Sequence, residues 1–308
     1  MSASSQGDVG ELVDSHVHFW DLGLHRFRWL DPDLPPTKLM GDLTPIRRNY
    51  LLEDYLSDAR PACVTKIVHV EAGIEPVDAV RNTIWLQDLA TKTGYPQAIV
   101  ALVALESPDL QETLEAHGQA ANLRGVRQAL NWVADPAKYH GRLPDRLTNS
   151  AWRAGFALLR PLGLSFDMQL DPAQMPEGAE LARAFPESLI IVDHVGMPVD
   201  RSAKGMELWR HGMRLLAAQP NVAVKISGLA MIDPGWTLKS IRPLVRETIE
   251  MFGVNRVMFG SNFPVDKLNA TLPNLISAIR AATADLTPGE RRQLFSQNAL
   301  HWYRIIEP

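Results

Sequence analysis

Short apolar runs alternate with amphipathic stretches along almost the whole chain. Runs rich in Val, Ile and Leu fall at 64–71, 98–105, 123–130, 164–170, 189–194, 222–227 and 256–262, and an apolar approach at 13–18 precedes them. Runs of this length with many β-branched residues read as buried strands. Between them, apolar positions recur at helical spacing over 50–59, 77–91, 109–121, 149–159, 176–185, 205–218 and 238–252, and helices at 271–283 and 288–303 close the series. Eight strands, each followed by a helix, predict a parallel sheet, and eight such units close into a (β/α)8 TIM barrel. The strands are apolar throughout rather than alternating, as expected where helices cover one face and packed side chains fill the other. A doubly wound open sheet is the alternative, but the Gly-rich phosphate turn it calls for after an early strand is absent.

The alternation is interrupted once, at 19–49, where Trp20, Trp29, four prolines and several arginines follow no clear period. A loop of this length with this aromatic content predicts a packed lid over a site. The 308 residues are therefore read as one domain, 1–308, with a flexible Ser- and Gly-rich start at 1–10, the lid at 19–49 and a C-terminal helix within 288–308.

Composition then removes several classes of function. A net charge of -4 without a long basic or acidic block gives no electrostatic footprint for nucleic acid or an anionic membrane. No apolar run approaches the ~20 residues of a bilayer-spanning helix, and the first residues show no secretory pattern, so a cytoplasmic protein is expected. Cys63 is the single cysteine, which excludes a disulfide framework or thiolate cluster within the chain; flanked by Ala62 and Val64, it is expected to be a small buried hydrophobe. The partner that remains is a small-molecule substrate, with a homo-oligomer left open.

In such a barrel the active site lies at the C-terminal ends of the strands. Those ends carry His16 and His18, His69 and Glu71, Arg127 and Gln128, Asp167 and Gln169, Asp193 and His194, Lys225 and Ser227, and Ser261 and Asn262. Ionisable groups are costly to bury without partners, so their collection on one rim points to a site. In an extended strand His16 and His18 share a face, and such a pair can hold a divalent cation or donate hydrogen bonds to a carbonyl oxygen gaining charge. Two histidines satisfied by their neighbours are the plain alternative. Arg127 and Lys225 either anchor a substrate or pair with structural carboxylates, and Glu71 either ligates or ties one of them. Trp20 and Gln128 join Glu71, Arg127 and Lys225 as substrate-binding candidates, whereas His25, His117, His140, His211 and His301 are read as structural.

Four motifs carry a family resemblance: Asp14-Ser15-His16-Val17-His18-Phe19-Trp20-Asp21, Val192-Asp193-His194-Val195-Gly196-Met197-Pro198, Val224-Lys225-Ile226-Ser227-Gly228-Leu229 and Val257-Met258-Phe259-Gly260-Ser261-Asn262-Phe263-Pro264. In this order they resemble the amidohydrolase-related family, within it the lactonase group of fuconolactonase, rhamnonolactonase and pyrone-dicarboxylate lactonase type. The resemblance implies a barrel hydrolase of a lactone or related cyclic ester, with no metal or one divalent cation, zinc or manganese. It implies that His16, His18 and His194 bind that cation or polarise the carbonyl. The eighth strand of the family carries an aspartate as base toward water, and here that position is Asn262. An amide cannot take the proton. His194 or Asp266 then serves as base, or the chemistry is altered toward a decarboxylation of a small aromatic or enol acid, or the barrel binds a ligand without turnover.

Overall fold

The computed structural model describes residues 11–37, 39–132 and 145–305; the expected flexible start at 1–10 and His140 lie outside them. Eight parallel strands, β1 (Leu12–Val17), β2 (Val64–Val70), β3 (Ala98–Leu102), β4 (Leu123–Arg127), β5 (Ser165–Met168), β6 (Ile190–Val192), β7 (Val222–Ile226) and β8 (Val257–Phe259), pair in sequence order. The end of β8 returns to β1: the Asn262 N–H donates to His16 O and the His18 N–H to Phe263 O, each at 2.8 Å. The barrel anticipated from the apolar pattern is thus present, closed by a seam between the first and last strands.

The helices are α1 (Leu52–Ala59), α2 (Ala79–Thr93), α3 (Leu110–His117), α4 (Ser150–Ala157), α5 (Met175–Ala184), α6 (Ala203–Ala217), α7 (Leu229–Ile232), α8 (Leu238–Phe252) and α9 (Leu272–Ala282). Side chains at their starts stop the chain from continuing as strand: Asn149, Ser202, Thr237 and Thr271 each accept from a backbone N–H three residues on. Two features depart from expectation. The stretch 288–303 is three pieces, α10 (Pro288–Arg292), a π turn (Gln293–Gln297) and α11 (Asn298–Trp302). The short α7 follows β7 directly, and its four apolar residues are too few to display a helical period.

Alternate strand positions separate into two apolar groups. Val68, Val70, Ala98, Val100, Ile191, Ala223 and Met258 pack inside the barrel over Trp302 and Tyr303 of the C-terminal segment. Their neighbours Ile67, Ile99, Ile190, Val192, Val222, Val224 and Phe259 pack outward under the helices. This two-residue period decides which side chains enter the lumen. The segment after β1 has a small aromatic core of its own, with Trp20 against Phe27, Trp29 and Tyr50, and a two-way backbone pairing of Trp20 with Tyr50. Cys63 corrects the expectation: it is exposed, in a left-handed turn (φ 53°) at the entrance to β2.

Candidate active site

The lumen period carries charged residues to the mouth of the barrel. Two residues beyond Ile191 stands Asp193, two beyond Ala223 stands Lys225, two beyond Ser165 stands Asp167, and Arg127 ends β4 in register with Asp167. All four are buried. Lys225 Nζ lies 2.5 Å from Asp167 Oδ2 and 3.0 Å from Asp193 Oδ1. Arg127 Nε lies 2.6 Å from Glu71 Oε1, and its Nη1 is 3.4 Å from Asp193 Oδ2. Tyr303 Oη donates to Asp167 Oδ2 at 2.7 Å and seals the network from below. Burial works to raise the Asp193 carboxyl, but Lys225 and then His16 overcome it and hold that group well below the ordinary range. Burial pushes Asp167 up to about 6, against the pull of Lys225. Asp193 is the member that stays ionised, and Asp167 takes a proton first.

Over this network sit the imidazoles. β1 is irregular between Asp14 and Val17, and such a shift re-aims the side chains that follow it. The His16 ring centroid is 4.9 Å from that of His18 and 4.6 Å from that of His194. His194 is held in the left-handed region (φ 55°), followed by the β-branched Val195 (φ 46°), whose carbonyl is fixed by the Trp209 indole N–H at 2.7 Å. Such conformations store strain of about 1–3 kcal/mol each. Two glycines make room: a Cβ on Gly228 would stand 2.7 Å from His194 Nδ1, and one on Gly260 would stand 2.8 Å from His16 Cβ.

Hydrogen-bond partners fix what each ring presents. His18 Nδ1 lies 2.8 Å from Val70 O, an acceptor, so Nδ1 carries the proton. Burial, then the Arg127 charge, lowers His18 to about 3, so the ring is neutral and its Nε2 presents a lone pair. His16 Nδ1 stands between Asp193 Oδ1 (3.2 Å) and Lys225 Nζ (3.1 Å), and its buried Nε2 has no protein partner. Burial and Lys225 hold His16 well below its ordinary value. His194 Nδ1 meets Ser227 Oγ at 3.0 Å, and burial lowers this ring to about 3. Three neutral imidazoles therefore converge, each oriented by a second group.

The remaining side of the site is uncharged at its surface. His18 Nε2 lies 3.1 Å from Asn262 Oδ1, and the Asn262 amide donates through Nδ2 to Asp266 Oδ1 at 2.8 Å. Asp266 Oδ2 accepts from the Ala230 N–H at 2.9 Å. Burial pushes Asp266 up to about 7, partly opposed by these hydrogen bonds.

Among the described residues, His16, Asp193 and His194 form a group able to hold a metal ion, their ligand atoms lying within 4.8 Å of one another. Asp193 Oδ1 lies at ion-pair distance from Lys225 and His16 but accepts no hydrogen bond from either. The imidazoles also carry donors suited to a divalent cation: His16 Nε2 is a buried nitrogen without a protein partner, and His18 Nε2 offers a lone pair with its other nitrogen tied to a carbonyl.

The structure brings His16, His18, His194, Asn262, Glu71, Arg127 and Lys225 into one cluster, with Asp266 behind Asn262. Gln128 has the opposite parity to Arg127 and leaves the site: its Oε1 accepts from Trp152 Nε1 at 2.7 Å and its Nε2 donates to Glu106 at 2.7 Å. Trp20 is buried in the excursion after β1, its indole N–H on Arg48 O at 2.7 Å. Arg127 and Lys225 are occupied by carboxylates, with Glu71 in the tying role. Asp193, the hub linking His16, Lys225 and Arg127, was visible at a strand end but not singled out. Its position two residues past a lumen-facing isoleucine was the available signal.

The amidohydrolase family profile matches residues 13–305. The chain is 43% identical over 294 residues to an uncharacterised protein of Sinorhizobium fredii, covering 96% of this chain and 98% of that one. It is 28% identical over 301 residues to an L-fucono-1,5-lactonase of Burkholderia ambifaria, covering 96% of each. Among solved structures, an amidohydrolase of Burkholderia multivorans with bound zinc superposes with a TM-score of 0.81 at 24% identity, covering 96% of this chain and all of that one.

Proposed function

The chain belongs to the amidohydrolase family, and from that premise we propose that it hydrolyses a lactone or related small cyclic ester, with a neutral, hydroxyl-bearing ring as the preferred substrate. The observation that carries this reading is the buried, unpartnered Nε2 of His16, on a ring packed against those of His18 and His194 at the mouth of the barrel. The likeness to the L-fucono-1,5-lactonase supports the substrate class. Charge supports the neutral ring, because Arg127 and Lys225 are matched by Glu71, Asp167 and Asp193.

His16, His18 and His194 would hold a divalent cation, zinc or manganese. When bound, such an ion supplies Lewis acidity to a carbonyl oxygen. The chain's own groups then orient the reactants. Val70 O fixes the His18 ring, Asp193 the His16 ring and Ser227 the His194 ring. Asn262 Oδ1 accepts a hydrogen bond from the attacking water. Asp266 reaches the cluster only through Asn262, so direct proton abstraction by Asp266 has no path. The excursion at 19–49, held to the β2–α2 connection by the Trp29 indole N–H on Ala72 O at 2.6 Å, covers the ring.

Proton release on a panel of sugar lactones and aromatic-derived lactones tests the proposal. The expected result is turnover, faster on neutral sugar lactones, and a loss of at least about 100-fold in kcat/KM for both His16→Ala and His194→Ala. Carbon dioxide release without ring opening would replace it with a decarboxylase, and tight ligand binding without turnover with a binding protein. Unchanged hydrolysis in both histidine variants would remove the site.

A further inference from the structure

The contact between His18 and Asn262 places two acceptors face to face. With the Nδ1 proton committed to Val70 O, His18 Nε2 has only a lone pair to offer, and it meets the carbonyl end of the Asn262 amide at 3.1 Å. The two ends of an amide have the same shape, so orientation follows from hydrogen-bond partners alone. The partner that decides it here is Asp266, which takes the Asn262 Nδ2–H at 2.8 Å. Turning the amide over would give His18 Nε2 a donor. It would also press Asn262 Oδ1 against Asp266 Oδ1, which is tolerable only when that oxygen carries a proton.

We propose that Asp266 is a positioning residue that acts through Asn262 on His18: its ionised form turns the amide carbonyl toward the site and leaves the His18 Nε2 lone pair free, and its protonated form reverses the amide and caps that lone pair. The inference deepens the proposed hydrolysis and rests on it for catalytic meaning, because a capped Nε2 can neither hold a cation nor accept from water. The proton comes from solvent to Asp266 Oδ1, which then donates to Asn262 Oδ1 while Asn262 Nδ2–H donates to His18 Nε2. No heavy-atom bond changes.

The groups facing Asp266 are few. The Ala230 N–H holds Oδ2, the Met231 N–H also donates to the carboxyl, and Asn262 lies four residues before it. Asp14 of β1 is the nearby charge; its Oδ2 takes the Tyr55 hydroxyl at 2.7 Å and its Oδ1 the Ser261 N–H at 2.8 Å. Lys267, next in sequence, is turned away onto Asp58. With burial dominant and Asp14 adding to it, Asp266 lies at about 7, so both amide orientations occur within the ordinary working range of pH.

The test is long-range 15N spectroscopy of histidine-labelled, ligand-free protein between pH 5 and 9, with the His18 signals assigned by their loss in His18→Gln. In the wild type, His18 Nε2 should move upfield to a hydrogen-bonded position as pH falls through about 7, while Nδ1 stays protonated and no imidazolium forms. Asp266→Asn keeps the oxygen that the Ala230 N–H holds and presents an amide N–H to Asn262. It should show the low-pH position of His18 Nε2 at every pH and lose the acid limb of the rate profile. A wild-type signal that stays constant across the range, or an Asp266→Asn signal matching the high-pH wild type, overturns the proposal. The spectrum requires no substrate. A His18 transition in a protein that turns over no lactone would leave this inference standing and remove the hydrolase, and lactone turnover with a constant signal would do the reverse.

Discussion

The two walls of the site solve the burial of polar groups in opposite ways. On one wall Glu71, Arg127, Asp193, Lys225 and Asp167 form a chain of opposite charges with contacts of 2.5–3.4 Å. On the other, His18, Asn262 and Asp266 contain a single ionisable carboxyl and a contact between two acceptors. Buried ion pairs are strongly destabilising when one partner is removed, so the first wall holds its geometry, and Asp167, pushed up to about 6, is the member that takes a proton first. An amide has two orientations of equal shape, so the second wall can change without moving. Rigidity thus lies where His16 is held, and response lies where His18 is held.

Removing Lys225 attacks the rigid wall most directly. Lys225→Met leaves Asp167 and Asp193 buried without their shared cation and should lower stability by about 3–5 kcal/mol in urea unfolding, with part recovered by adding Asp167→Asn. The responsive wall gives less. Asn262→Asp sets a second carboxyl against Asp266, and two carboxyls at that spacing share one proton, so the variant should be about 1–3 kcal/mol less stable at pH 8 while differing little at pH 5.

The pH dependence of unfolding carries two contributions of opposite sign. His18, His69 and His194 lie at about 3, so between that value and about 6.5 the unfolded chain binds more protons than the native one. The stability they contribute is complete above pH 6.5 and is lost as pH falls through the window. Asp266 has the opposite sign. At about 7 in the native state it binds a proton more tightly than in the unfolded chain, so it favours the native state below pH 7 and loses that contribution as pH rises from about 4 to 7. The unfolding midpoint should fall between pH 7 and 5, and fall further in Asp266→Asn. The smallest effect belongs to the excursion: Trp20→Phe removes one hydrogen bond to Arg48 O and should cost about 1 kcal/mol, with His18 spectra unchanged.

The fold was legible because a parallel barrel imposes two periods at once, and runs such as Leu189–Val192 carry no competing reading. His16, His18 and His194 were legible as polar residues ending apolar strands. The parity of each strand within the closed barrel was harder to read. Gln128 follows Arg127 in sequence yet points to Trp152, and only a lumen-facing reference two residues earlier separates them. Charge was legible but not its pairing, so Arg127 and Lys225 read equally as substrate anchors and as partners of structural carboxylates. Cys63 misled because a small residue between Ala62 and Val64 looks buried, while its left-handed backbone turns it to solvent.

The seam between β1 and β8 also sets an order of events. His16 and Asn262 meet across 246 positions of chain, and the Ser15 hydroxyl reaches Phe259 O over a separation of 244. Contacts so distant in sequence form late and slowly, after the intervening units have packed. During synthesis the histidines of β1 emerge first and wait for β8 to supply Asn262 and Asp266. A nascent chain that has not yet released its last strand therefore holds half of the candidate site, which is whole only once the barrel has closed.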